Sequence, residues 1–400
     1  MKIFRNAKLV LADSVLNDGF LLEDGGKILN LGSWDGAKAS EFAGPEAEEI
    51  DCRGLYLSPG FIDLHCHGGG GHDFMDGSVE AMAEAARTHL RYGTTTLLPT
   101  TLACSDEDLF RAIANFHELQ KMSELSRQYE LPSLPGLHLE GPYFSPEQAG
   151  AQNPAWLRCP APDHYNKIME AGEGFILRWS LAPELNGALE MARELKKRGV
   201  LLSIAHSNAV YDEVLAAADA GFSHVTHLYS GMSSITRRQG HRYLGVIESA
   251  YLMDSLSVEI IADGIHLPPE LLRLIVKCKD TRQICLVSDS MRGAGQGDGP
   301  SIIGSLNEGQ EVIIEGGVAK MPNREAFAGS VATADRLVRV MVKEAGLSIP
   351  QAVAMMSANP ARINGLASKG KLEAGMDADL LLFDEDIGIR QVYTGGREIF

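Results

Sequence analysis

Gly60-Phe61-Ile62-Asp63-Leu64-His65-Cys66-His67 is a short apolar run that ends in two imidazoles two residues apart. Alternate residues of a strand share a face, so a strand here sends His65 and His67 to one side and Cys66 to the other. Seven more short runs follow: Thr94 to Thr101, Gly136 to Glu140, Ile176 to Ala182, Val200 to His206, His224 to His227, Val258 to Asp263 and Ile284 to Asp289. Helix-length amphipathic stretches lie between most of them, among them Ser78 to Arg91, Ser105 to Tyr129, Gly187 to Arg198 and Tyr211 to Ala220. Strand then helix, repeated eight times, predicts an α/β chain folded as a (β/α)8 TIM-type barrel. A doubly wound open sheet would alternate in the same way, but no GxGxxG turn follows the first strand.

The ends of the chain have another rhythm. Residues 1–50 alternate in short runs split by turn residues such as Asp24-Gly25-Gly26, which predicts a small antiparallel β unit. Ala378 to Phe383 reads as one strand, and Ile389 to Phe400 as a hairpin turning at Gly395-Gly396. The predicted organisation is a small β-sandwich domain from 1–54 and 366–400, around a barrel at 55–365. Within the barrel, 291–330 reads as a β-hairpin excursion after the last strand.

Composition narrows the function. The chain has 400 residues, with 53 acids against 36 bases and a net charge of -17. Such a balance is a poor match to nucleic acid or an anionic membrane. The six cysteines form no CxxC pair or dense framework, which suits reduced thiols. No leader-like segment and no apolar run of membrane-spanning length is visible, so a cytoplasmic protein is expected. The run Gly68 to Gly71 lacks the GK[ST] of a nucleotide loop and reads as a close passage of backbone.

Six of the eight runs end on or beside a His, Glu or Asp. Strand C-termini form one rim of such a barrel, and chemistry is built there. His65, His67, Glu140, His206, His227 and Asp289 on one rim are the ligand types of a divalent metal. A lone buried histidine is more often a hydrogen-bonded core residue. Several on neighbouring strand ends beside carboxylates are not accounted for in that way. Asp289 could simply cap the next helix, but a rim carboxylate is also a natural proton acceptor.

The motifs then carry a resemblance. They are Leu57-Ser58-Pro59-Gly60-Phe61-Ile62-Asp63 leading into His65 and His67, His138-Leu139-Glu140-Gly141-Pro142, Gly150-Ala151-Gln152, His206-Ser207-Asn208-Ala209 and Thr226-His227-Leu228-Tyr229. Ile261-Ala262-Asp263-Gly264-Ile265-His266, Ser288-Asp289-Ser290, Ala328-Gly329-Ser330 and Lys371 to Leu380 continue them. The chain resembles the amidohydrolase superfamily and, within it, the N-acetylglucosamine-6-phosphate deacetylases, over nearly its whole length.

The resemblance implies a homodimer that hydrolyses the acetamide of N-acetylglucosamine 6-phosphate, giving glucosamine 6-phosphate and acetate. Glu140, His206 and His227 would hold the principal metal, and His65 and His67 a second, with Glu140 bridging. One or two divalent ions are implied, zinc and iron leading. Asp289 would take the proton of the attacking water and pass it to the leaving amine. Gln152, Gly141, Ser230, Gly231, His266 and Ala328 would face the substrate, and Arg238 would bind its phosphate from the neighbouring subunit. The chain departs from the family pattern at three places. Gln152 stands where many members have histidine, Ser230-Gly231 replaces Asn-Ala, and the loop Arg237 to Gly245 is longer. Other readings compatible with these residues are a deacetylase of N-acetylgalactosamine 6-phosphate or of another N-acyl amine, and a catalytically silent scaffold.

Overall fold

The computed structural model describes residues 1–34, 47–125 and 130–400. Its central sheet has eight strands: β1 Phe61–Cys66, β2 Thr94–Thr101, β3 Leu137–Glu140, β4 Ile176–Leu181, β5 Leu201–Ile204, β6 Phe222–Val225, β7 Ser257–Ile260 and β8 Ile284–Leu286. Each pairs in parallel with the next. The ring closes between its first and last strands: Cys66 bridges to Ser290, and the Asp289 amide donates to the His65 carbonyl at 2.8 Å. The strands are buried on both faces, so they read as near-continuous apolar runs rather than alternating ones.

The expected helices are present: α1 Val79–Leu90 and α2 Asp106–Leu125 after the first two strands, then Ala188–Lys197 and Tyr211–Ala220. Positions 126–129 of the stretch expected to be helical lie outside the described residues, as do 35–46 of the expected N-terminal β unit. Ala188, Met191, Ala192 and Leu195 are buried at the 3.6-residue period, which fastens their helix to the barrel wall.

Both termini build one further sheet, from Lys2–Val10, Val15–Asp24, Lys27–Ser33, Glu48–Asp51, Tyr56–Pro59, Leu380–Phe383, Ile389–Thr394 and Arg397–Glu398. It is mixed rather than antiparallel throughout. Lys2–Val10 pairs in parallel with both Glu48–Asp51 and Tyr56–Pro59, which follow one another along its edge: the Cys52 amide donates to the Arg5 carbonyl and the Lys8 amide to the Leu55 carbonyl, both at 2.9 Å, so the two strands run in one direction. The C-terminal hairpin turns at Gly395 and Gly396, both at positive φ. Alternation divides Leu380–Phe383 between two cores. Leu380 and Leu382 join Phe4, Leu9, Leu21 and Leu57, while Leu381 and Phe383 join the barrel's core.

The excursion after β8 is larger than a hairpin. It is a four-stranded antiparallel sheet, Gly299–Ile303, Gln310–Glu315, Val318–Lys320 and Phe327–Ser330. A lone hairpin would have no core, whereas four strands enclose Met291, Ile303, Val312, Ile314, Ala319 and Ala328. Arg292 fastens it, donating to the Ile302 carbonyl at 2.7 Å and pairing with Asp76 at 2.8 Å.

Candidate metal centre

The six rim residues meet at the C-terminal mouth of the barrel. Glu140 is the last residue of β3, and His206, His227 and Asp289 follow β5, β6 and β8 by two or three residues. At those three the backbone enters the left-handed region, with φ of 43°, 28° and 48°. Non-glycine residues seldom hold that conformation, and its strain concentrates at functional sites. It turns each side chain off its strand and over the barrel mouth. His65 and His67 share a face as alternate residues, with ring centroids 5.1 Å apart. Cys66 between them turns outward to His89 on α1, Sγ to Nε2 3.2 Å.

Glu140 is the hub. Its Oε1 lies 2.9 Å from His227 Nε2, 3.3 Å from His206 Nε2 and 3.6 Å from His65 Nε2. Its Oε2 lies 3.4 Å from His67 Nε2. Asp289 Oδ1 lies 3.1 Å from His67 Nε2 and 3.4 Å from His65 Nε2. Two buried trios with ligand atoms close enough to hold an ion result, Glu140-His206-His227 and His65-His67-Asp289. Three of the four second ring nitrogens are tied to the scaffold, His67 Nδ1 to the Thr100 carbonyl, His206 Nδ1 to the Gln148 carbonyl and His65 Nδ1 to Glu259 Oε2, while His227 Nδ1 is buried without a partner among the described residues. An acceptor on Nδ1 makes that nitrogen the donor and leaves Nε2 free for a metal. Four imidazoles and two carboxylates so arranged fit a divalent cation.

Electrostatics agree. Burial would push the Glu140 carboxyl up, but His65, His206 and His227 override it and hold it well below the usual range. Burial likewise opposes, and His65 and His67 win, at Asp289, which is lowered. Burial pulls the His65 ring down, but the Asp289 and Glu140 charges raise it well above its ordinary value. His67 is raised in the same way, by its bond to Asp289 and by Glu140, against burial. Both carboxylates are therefore ionised, as ligands must be, and an arriving cation displaces histidine protons. A third trio, Asp63-Cys66-His89, lies behind the rim. Burial, then the Asp63 charge, push the Cys66 thiol well above its ordinary value, which keeps the sulfur protonated and poor as a ligand.

The remaining sequence-predicted residues divide. Gln152, Ser230, Gly231 and His266 line the cavity above Glu140, with His67, His206, His227 and Asp289. Gln152 donates to Glu140 Oε2 at 2.7 Å and accepts from the Ala103 amide at 2.9 Å. His266 is fixed through Nδ1 by Asp263 at 2.8 Å. Gly141 lies below, its carbonyl accepting from Trp179 Nε1 at 2.8 Å. Ala328 is buried in the excursion's core, while its neighbours Phe327 and Gly329 reach the cavity. Arg238 stands apart on an exposed hairpin, Thr236–Arg238 with His241–Tyr243, its guanidinium 5.4 Å from the Tyr243 ring. Gly68-Gly69 pairs with His72-Asp73 as a two-residue ladder. Sequence reading missed Glu259 and Arg178, an ion pair inside the barrel with both side chains fully buried. The signal was there: each is a charge in the middle of an otherwise apolar strand.

A (β/α)8 barrel with imidazoles and carboxylates converging at its C-terminal mouth defines a metal-dependent hydrolase. The amidohydrolase family pattern matches residues 56–399. The chain is 32% identical over 386 residues to the N-acetylglucosamine-6-phosphate deacetylase of Bacillus subtilis, covering 96% of this chain and 93% of that one. It is 31% identical to the N-acetylgalactosamine-6-phosphate deacetylase of Escherichia coli O157:H7, covering 85% of this chain and 87% of that one. The crystal structure of the N-acetylglucosamine-6-phosphate deacetylase from Pasteurella multocida superposes with a TM-score of 0.89, at 29% identity and 99% coverage of both chains. The chain belongs to the amidohydrolase family.

Proposed function

We propose that this protein hydrolyses the acetamide of N-acetylglucosamine 6-phosphate, giving glucosamine 6-phosphate and acetate. The observation that carries the reading is the convergence of four Nε2 atoms on Glu140 and Asp289 at the floor of one cavity. Glu140, His206 and His227 would hold the principal ion, and His65 and His67 a second. Zinc or iron suits this mixed imidazole and carboxylate set. A divalent ion there supplies Lewis acidity, lowering the pKa of water from about 15.7 to about 7 and polarising a carbonyl.

The chain's own residues do the rest. Asp289 Oδ1, held ionised, accepts the proton of the attacking water and returns it to the leaving amine. His266, with Nδ1 occupied by Asp263, presents Nε2 to the sugar or the reacting amide. Gln152 steadies Glu140 and closes the cavity beside it. Ser230 and Gly231 lie on the phosphate side, and Arg238 serves the partner subunit's cavity in a homodimer, which suits its exposed hairpin. The domain division 1–54 with 366–400 against 55–365 sets the terminal sheet against the barrel, with Tyr56–Pro59 completing that sheet and Leu381 and Phe383 packing across into the barrel's core. Among the described residues no helix is long and apolar enough to cross a membrane, and all six cysteines are free, which suits a cytoplasmic protein.

A second reading, the 4-epimer N-acetylgalactosamine 6-phosphate as substrate, is favoured by the Escherichia coli relative. Acetate release from the two isomers, with metal content measured on the same sample, separates these. A kcat/KM at least tenfold higher on the gluco isomer is the expected result. Bound metal with release only from the galacto isomer overturns the first reading and supports the second. Neither metal nor release would make the chain a silent scaffold.

A further inference from the structure

Beneath the rim lies a buried charge that the mechanism does not use. Glu259 stands in β7 with its side chain fully buried. One oxygen, Oε1, pairs with Arg178 of β4, whose Nη2 donates to Ser203 Oγ at 3.3 Å and Thr226 Oγ1 at 3.0 Å. His224 Nε2 lies 3.6 Å from the same oxygen. The other oxygen faces the rim. Oε2 lies 3.3 Å from His65 Nδ1 and accepts from the His227 backbone amide at 3.2 Å. A buried ion pair is no efficient way to stabilise a core, since apolar replacement is often neutral or better. What this pair does locally is therefore the question.

The two contacts of Oε2 are unequal. His227 also belongs to a segment tied by another bond, from the Leu228 amide to the Glu259 carbonyl, which any residue at 259 would keep. His65 has only the carboxylate on its Nδ1. The equivalent nitrogens of His67 and His206 rest on backbone carbonyls. A carboxylate is the stronger acceptor, so it fixes the tautomer more firmly and makes Nε2 a better donor to a cation. Arg178 offsets the Glu259 charge, so this third carboxylate adds no net charge beneath Glu140 and Asp289.

We propose that Glu259 is a positioning residue that sets the affinity of the His65-His67 ion site selectively over that of the Glu140-His206-His227 site. The inference rests on the two-ion reading given above. The test uses the full chain, stripped of metal and titrated with zinc against a chromophoric chelator, with circular dichroism to check the fold. Two variants remove the buried charge pair together: R178M/E259Q keeps a carbonyl acceptor for His65, and R178M/E259L removes it. Wild type takes up two ions. In R178M/E259L the weaker ion loses roughly 10–100-fold in affinity while the tighter one shifts less than about threefold. R178M/E259Q lies between, weakened several-fold at the weaker ion alone, and decides the matter by itself if the leucine variant does not fold. Two ions bound as in wild type, or both sites weakened alike, overturn the inference. A wild type that binds a single ion instead overturns the two-ion reading on which it rests.

Discussion

Asp289→Asn separates chemistry from architecture. Asp289 is 8% exposed, and its Oδ1 lies within 3.4 Å of both His65 Nε2 and His67 Nε2. Those rings hold it ionised against burial, so it stands ready to accept a proton. Asparagine keeps the shape but has no basic oxygen. The backbone around it should hold, because the Asp289 amide to the His65 carbonyl and the Ser330 amide to the Asp289 carbonyl involve no side-chain atom. Loss of a positioned general base costs about 10²–10⁴ in rate, or about 2.7–5.4 kcal/mol of transition-state stabilisation. Steady-state acetate release should show that loss mainly in kcat. Metal analysis should still find the ion of the Glu140-His206-His227 trio, to which Asp289 does not belong. A rate loss under tenfold would refute the proton-transfer assignment. So would loss of that ion, because the defect would then be one of assembly.

Other perturbations follow from the same geometry. In Gly231→Ala the added Cβ meets His206 Nδ1 at 2.7 Å, at a residue whose φ is +56°, so His206 must move; metal affinity should fall at least tenfold, and an unchanged affinity would mean the loop yields freely. Arg178→Met leaves Glu259 buried without its cation, which should lower stability by about 3–5 kcal/mol in a urea titration; a cost below about 1 kcal/mol would mean that Glu259 is not charged in the folded chain. The metal-free rim should show a two-sided pH dependence. His65 and His67 are raised above their ordinary value, so their contribution is fully present below about pH 6.5 and is lost as pH rises through their folded values. Glu140 and Asp289 are lowered, so theirs is present above about pH 4 and is lost as pH falls through their folded values. Zinc uptake at neutral pH should accordingly release protons, read by calorimetry in buffers of different ionisation enthalpy; no release would contradict the histidine shifts.

The barrel was legible because its strands are short and buried on both faces, so each apolar run stands out against the amphipathic helices. The rim was legible for a related reason: in this fold a ligand-type residue at the end of a run has one place to go. Other features depend on partners far away in the chain. The parallel pairings of Lys2–Val10 join it to segments far along the chain, which no local pattern encodes. The four-stranded excursion declared itself only through the alternating Glu311 to Ile314, because Val318–Lys320 is three residues long and the other two strands carry glycine or proline. Gln152 reaches Glu140 from a loop, a contact that spacing cannot foresee. Glu259 and Arg178 were visible as charges inside apolar runs, but their meaning needed the barrel to bring them together across 81 residues.

The central claim is that a metal held at this rim is what makes the chain a hydrolase. Strip the protein with a chelator, then restore zinc in measured steps, following acetate release from N-acetylglucosamine 6-phosphate and bound metal together. The account predicts that activity vanishes with the metal and returns in proportion to the ions bound, reaching its plateau at no more than two per chain. Full activity in the stripped protein, or metal bound at the rim without any return of activity, would contradict it.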